Sequence, residues 1–387
     1  MDDARRLLDD AIALRQEIHA HPEVGIDLPA TQKTLLDALS GLHLPVETGH
    51  RLSSIVAVLD GGEPGPTTLL RSDMDSLEMP EDTGLPFAST VAGRMHACGH
   101  DAHMAMLVCA ARLLHQRREQ LRGRVIFMFQ PGEEGHGGAK LMLEEGLLDK
   151  AGPVDRAFAL HVVANIPSGT VTTRAGTIAA SADEFSITVV GRGGHGSMPH
   201  DAIDPVPAAC EIVGALQAMI TRRVHVFDPA VVTVTTIRAG TAHNVIPERV
   251  ELGGTIRTVS ARTRELVVSA IGDVAGEVAA AHRCQAKVLV SEDGYPVTVN
   301  DELFAEKVLA IARDLFGPEL VRPMPTPEMG AEDFSYVLER VPGALTLLGV
   351  AAPGNDSPAP NHSNRMMVDE PAMAAGIALH AAVALSS

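Results

Sequence analysis

Basic charge, cysteine and long apolar runs are all scarce in this chain of 387 residues. Lys and Arg number 31 against 49 Asp and Glu, for a formal net charge of −18. A surface of that sign repels phosphate backbones and anionic lipid, which excludes nucleic acid and membranes as expected partners. Cys98, Cys109, Cys210 and Cys284 are too few and too scattered for the disulfide framework of a secreted protein. No apolar run is long enough to span a bilayer. The acidic start MDDARRLLDDAIALRQEIHAHPE lacks both the basic and the apolar region of a signal peptide. It reads as an amphipathic helix with Leu7, Leu8, Ile12 and Ile18 on one side. These absences together predict a cytoplasmic protein.

The length suits two or three domains with a large core. Apolar runs rich in β-branched residues, at 53–59, 67–73, 124–130 and 157–163, alternate with helical patterns such as 102–118. That alternation predicts an α/β domain whose mostly parallel sheet is covered by helices on both faces. After Gly176 the texture changes. Strands at 183–191, 230–240, 249–259 and 285–294 interleave with helices at 205–221 and 260–282. Strand, helix, two strands, helix and strand make an α+β ferredoxin-like unit. The predicted organisation is a catalytic domain of residues 1–181 and 293–387, interrupted by a lid or dimerisation domain at 182–292. The proline-rich stretches VRPMPTPEMG and APGNDSPAPNHS read as ordered loops.

Metal-ligand side chains recur where the strands of the larger domain end. MHACGHDAH (95–103) sets Cys98 and His100 one glycine apart, and QPGEEGHGG brings Glu133 and Glu134. His161 sits in AFALHVV and His362 in PNHSN. Alone, Cys-x-His reads as a packed thiol beside a satisfied histidine, and a Glu-Glu pair as a solvated turn. Open α/β sheets, however, gather their sites outside the carboxyl ends of strands, where these loops can converge. A thiolate, imidazoles and a carboxylate suit Zn²⁺, or Mn²⁺, Co²⁺ or Ni²⁺. Five protein ligands exceed the need of one tetrahedral ion, so two ions sharing a bridge are expected. Neighbouring side chains on extended backbone diverge. One glutamate can therefore bind metal while the other handles the proton of an activated water.

Beyond single residues, the segments HAHPEVG, RSDMDSLEMPE, HACGHDAHMA, QPGEEGHGGA, ALHV, GRGGHGSMPH, GTAHNVIPE, GGTIRT, MGAEDFSYV and NHSN succeed one another over nearly the whole chain. Together they resemble the M20 family of metallo-amidohydrolases, most closely its aminoacylase, hippurate-hydrolase and auxin-conjugate-hydrolase branch. The resemblance implies metal ligands at Cys98, His100, Glu134, His161 and His362, with Glu133 as general acid and base. It also implies a small-domain histidine, His195, that reaches a neighbouring subunit's site to stabilise an oxyanion. Asn244 and Arg257 would clamp the substrate's free carboxylate. Arg71-Ser72-Asp73 stands where M20 peptidases have a His-x-Asp ligand motif. Arginine does not deprotonate, so Asp73 is expected to orient a ligand from behind.

GRGGHG (191–196) also fits a dinucleotide-binding pattern, but Pro199, Pro205 and Pro207 deny it an immediate helix for a pyrophosphate. Met95, Met324, Met329 and Met366 are candidates for a pliable acyl pocket or for ordinary packing. The expected activity is two-metal hydrolysis of an N-acyl-amino acid or similar conjugate by a homodimer or dimer of dimers. The rivals are a dipeptidase, a deacetylase of an amino-acid precursor, and a catalytically silent metal-binding protein.

Overall fold

The computed structural model describes residues 1–149 and 152–386 and resolves into two compact units. The larger comprises Met1–Ile178, Val299–Thr326 and Asp333–Ser387; the smaller comprises Ala179–Thr298 and Pro327–Glu332.

The larger unit is built on an eight-stranded sheet. Its order is Val46–Thr48, Ile55–Asp60, Arg122–Gln130, Glu63–Asp73, Arg156–Pro167, Gly343–Ala351, Val171–Thr173, Val321–Pro323. The four central strands run parallel. Successive residues of these strands feed two different cores, as a pleated strand requires. Phe127, Phe129, Phe158, Leu160 and Val162 pack with helices Leu8–Ala20, His100–Gln116 and Met373–Leu385. Ile126, Met128, Ala157 and Ala159 pack on the other face with Ala139, Met142 and Val337. The short strand Val321–Pro323 opens a segment that the sequence presents as loop.

The N-terminal reading needs correction. The chain forms two helices, Asp2–Arg6 and Leu8–Ala20, separated at Leu7. Their buried residues are Ala4, Ala11, Leu14, Arg15, Ile18 and His19, while Leu7, Leu8 and Ile12 are only half-buried. Hydropathy places charged residues outside; here Arg15 and His19 turn inward because buried carboxylates await them.

In the smaller unit, strands Ala230–Ala239, Arg249–Thr258, Asp183–Val190 and Gln285–Val290 lie in that order, all antiparallel. Helices Pro205–Arg223 and Ala261–Ala281 pack on one face against Phe185, Ile187, Val189, Leu252 and Ile256. Asp204 and Ser260 cap these helices, accepting the Val206 and Thr263 amides at 2.9 and 3.1 Å. Only a single-turn helix, Pro199–Asp201, stands directly after GRGGHG, and it makes a poor cradle for a pyrophosphate.

Candidate metal centre

The larger unit brings Cys98, His100, Glu133, Glu134, His161 and His362 together. Cys98 Sγ lies 3.4 Å from His161 Nε2 and 3.3 Å from His362 Nε2. Cys98, His100 and His161 offer ligand atoms that all lie within 4.8 Å of one another, and Cys98, Glu134 and His362 do the same. The thiol therefore belongs to both groups. A third group joins His100 to Glu133 and Glu134.

Local chemistry sets the direction of each imidazole. Nδ1 of His100 faces the Asp75 carbonyl at 2.8 Å, and Nδ1 of His161 faces the Val162 carbonyl at 2.8 Å. A carbonyl only accepts, so in the neutral form both rings carry their proton on Nδ1 and turn an Nε2 lone pair inward. His362 sits at φ 65°, a left-handed conformation rare for a side-chain-bearing residue. Its amide donates to the Ala97 carbonyl at 2.8 Å. Next to it, the Asn361 side chain donates to the Cys98 and Val162 carbonyls, both at 3.0 Å, and accepts the Ala164 amide at 2.9 Å. That one amide group ties three ligand-bearing segments together.

Gly99, between the first two candidate ligands, has φ 87°, and a Cβ there would lie 2.3 Å from Val162 Cγ2. Only glycine permits both the turn and the close approach that starts the His100–Gln116 helix.

The two glutamates are aimed through their backbone. Asp75 accepts the Glu133 amide on Oδ1 and the Glu134 amide on Oδ2, each at 2.9 Å. The same residue's carbonyl holds His100, so Asp75 orients three site residues at once. Sequence reasoning passed over it, although it repeats the spacing of Asp73 two residues earlier on the same strand exit. Asp73 takes Arg71 Nη1 at 2.6 Å on Oδ2 and His103 Nδ1 at 2.5 Å on Oδ1, and it stands 3.6 Å from His100 Nε2. His103 Nε2 accepts the Val162 amide at 2.8 Å. Its proton must then lie on Nδ1, and burial holds its pKa down to about 4. Arg71 is spread over Gln130, Asp73 and Asp333, which excludes it from ligation.

This centre draws positive charge. Burial opposes ionisation of the Cys98 thiol, yet His161 and His100 hold it well below the ordinary range. Burial likewise opposes protonation of His161, but Cys98 raises it to about 9. The hydrogen bond to Cys98 and the Glu134 carboxylate beside it lift His362 to about 10. Among the described residues, His100 Nε2 and Glu134 Oε1 are buried with no hydrogen-bond partner; Glu134 Oε1 lies 3.2 Å from His362 Nε2 as an ion pair only. Unpartnered inward lone pairs around a thiolate are what divalent ions satisfy.

His195, Asn244 and Arg257 lie in the smaller unit. His195 is exposed, paired with Val245 in a two-stranded ladder, and Gly196 N–H donates to the Asn244 carbonyl at 2.8 Å. His195 and Asn244 thus share one local element. Arg257 is half-buried on the Arg249–Thr258 strand, with Nη1 donating to its neighbour Ile256's carbonyl at 3.2 Å. Met95 and Met366 are buried in the core of the larger unit, Met324 packs partly buried against its other face, and Met329 is exposed.

Fold and residue set together define a metal-dependent hydrolase that acts on amide bonds. The profile described as peptidase family M20/M25/M40 matches residues 69–386, and the chain belongs to that family. It is 36% identical over 387 residues to thermostable carboxypeptidase 1 of Saccharolobus solfataricus, covering 99% of this chain and 97% of that protein. It is 37% identical to IAA-amino acid hydrolase ILR1-like 2 of Arabidopsis thaliana, covering 98% and 85%. The crystal structure of Bacillus subtilis YxeP, described as a dinuclear metal binding peptidase of the M20 family, superposes with a TM-score of 0.85. That match is at 32% identity and covers 99% and 98% of the two chains. Among the described residues no helix is long and apolar enough to cross a membrane.

Proposed function

We propose that this enzyme hydrolyses the amide of N-acyl-amino acids or related conjugates, releasing a carboxylic acid and a free amino acid. Two divalent ions, Zn²⁺ or Mn²⁺ with Co²⁺ or Ni²⁺ as substitutes, are held by Cys98, His100, Glu134, His161 and His362. The observation that carries this reading is the membership of Cys98 in two separate ligand groups, so that its thiolate would contribute to holding both ions. Bound there, the ions would polarise the scissile carbonyl and acidify water.

The chain's own residues supply the rest. Glu133, buried beside the ligands with its amide fixed by Asp75, takes the proton of the attacking water and returns it to the leaving nitrogen. His195 donates to the developing oxyanion. Its Nδ1 accepts the Ser197 amide at 3.1 Å, so a neutral ring carries its proton on Nε2, ready to donate. Asp73 steadies His103 behind the ligands.

Asn244 and Arg257 hold the substrate's free carboxylate. Arg257→Ala is then expected to cost about 2–5 kcal/mol in kcat/KM through loss of a charged hydrogen bond. Steady-state kinetics on an N-acyl-amino acid and on its carboxamide check this: the penalty should nearly vanish on the carboxamide. Equal losses on both substrates contradict the role.

The test of the activity is a panel of N-acyl-amino acids, hippurate among them, assayed after loading with Mn²⁺ or Zn²⁺. Dipeptides belong in the panel because a carboxypeptidase is among the relatives. Turnover of dipeptides alone would replace this reading with a peptidase.

His195 acts in a second subunit's site in this proposal, with the smaller unit as dimerisation domain. The edge strand Ala230–Ala239 has one sheet neighbour and exposes Val231 and Ile237, a surface on which a second copy could continue the sheet. Mixing Glu133→Gln with His195→Ala, with subunit exchange verified, should restore about a quarter of wild-type activity by symmetry counting. A mixture as inactive as its parents overturns the assignment.

A further inference from the structure

Behind the ligand cluster lies a buried ionic network that the catalytic reading leaves unused. Asp101, the residue after His100, is fully buried in the first turn of the His100–Gln116 helix. Its Oδ2 forms an ion pair with Arg15 Nε at 2.9 Å and a hydrogen bond with His19 Nδ1 at 2.8 Å. His19 Nε2 meets Glu81 Oε1 at 3.2 Å, and Arg15 Nη1 donates to Glu370 Oε1 at 2.7 Å. Glu81 in turn accepts the Ser89 amide at 2.7 Å, and Gln16 donates to Glu370 at 3.0 Å. The guanidinium of Arg15 lies 5.4 Å from the Phe87 ring centre, and His19 meets that ring edge-on.

We propose that Arg15 and His19 are positioning residues for His100, acting through Asp101; the inference rests on the reading of His100 as a metal ligand. Each end of His100 is otherwise lightly held. Nδ1 has the Asp75 carbonyl, and the buried Nε2 has no hydrogen-bond partner among the described residues, with Asp73 Oδ2 standing off at 3.6 Å. A helix turns about 100° per residue, so a small rotation of the first turn swings Nε2 away from Cys98 and His161. Two cations on one carboxylate oxygen, anchored to Glu81 and Glu370 on other segments, oppose that rotation. His19 faces carboxylates through both ring nitrogens, so both donate and neither is available as a ligand.

Stability alone is a weak reason for such a network. Burying two cations and three carboxylates costs desolvation that their attraction about repays, and apolar residues of like volume pack as well. What an ionic cluster supplies that apolar packing does not is direction. Groups that hydrogen-bond a metal ligand directly are worth about 10–100-fold in metal affinity when removed; Arg15 and His19 act one residue further back, through the backbone of Asp101, so the low end of that range applies.

The test uses the whole protein as Arg15→Met and His19→Ala variants, with His100→Ala as control. Co²⁺ affinity is measured by chelator competition, the Co²⁺ ligand-field absorption is recorded, and thermal unfolding of the metal-free proteins is tracked separately. Both variants should lose about tenfold or more in Co²⁺ affinity and shift the absorption bands. His19→Gln, which keeps an N–H for Asp101, should recover part of both. Wild-type affinity and spectrum in folded variants, whatever the unfolding temperature does, overturn the proposal. Arg15→Met decides the matter if His19→Ala does not fold. If His100→Ala binds Co²⁺ as the wild type does, the ligand assignment itself has failed; loss in His100→Ala without loss in the other two refutes only the positioning role.

Discussion

Glu133→Gln is expected to keep its metal and lose roughly 10²–10⁴-fold in kcat, the range that a positioned acid–base group contributes. The substitution preserves volume and polarity and removes only the ability to exchange a proton. Glu134→Gln should behave differently. Its carboxylate shares a group with Cys98 and His362, so the amide weakens metal binding directly. Elemental analysis beside single-turnover kinetics separates the two outcomes. Glu133→Gln arriving metal-free while Glu134→Gln is fully loaded would exchange their roles.

Asp75→Asn is expected to lower kcat about 100-fold although Asp75 touches neither ligand atom nor substrate in this account. The carboxylate spends one oxygen on each of two consecutive amides. Asparagine keeps one acceptor and sets an NH₂ against the other N–H, leaving a buried donor unpartnered at a cost of about 1–3 kcal/mol. Relief of that clash moves the Glu133–Glu134 backbone, and a shift of about 1 Å at a reacting group is worth about 10²-fold. Because the residue's carbonyl still accepts from His100, metal affinity should fall less than kcat. A metal titration beside steady-state kinetics measures both, and wild-type kcat would remove Asp75 from the mechanism.

Asp75 also shows where sequence reading reaches its limit here. The ligand candidates were legible because their side-chain types are few and their spacings repeat a family's pattern. The two-faced sheet was legible because alternate strand residues must feed opposite cores. Asp75 and Asn361 act on backbone groups of distant segments, and nothing in RSDMD or PNHSN says which amides will converge there. The burial of Arg15 and His19 was not legible for a related reason. Hydropathy treats a charged side chain as exposed, and only the fold shows the carboxylates that make burial tolerable. The grouping of Pro327–Glu332 with the smaller unit has no sequence signal at all, since the Glu328 and Gly330 carbonyls accept the amide of Ala180, a residue far earlier in the chain.

The most direct test of the central claim is a metal titration of the chelator-stripped protein with hippurate turnover as the readout. The account predicts no hydrolysis without metal, and activity that rises to a plateau at about two equivalents of Mn²⁺ or Zn²⁺ per subunit, as two ligand groups meeting at Cys98 require. The same titration of Cys98→Ala should reach neither the stoichiometry nor the rate. Hydrolysis that survives complete metal removal, or a Cys98→Ala enzyme that binds both ions and turns over as the wild type does, would contradict it.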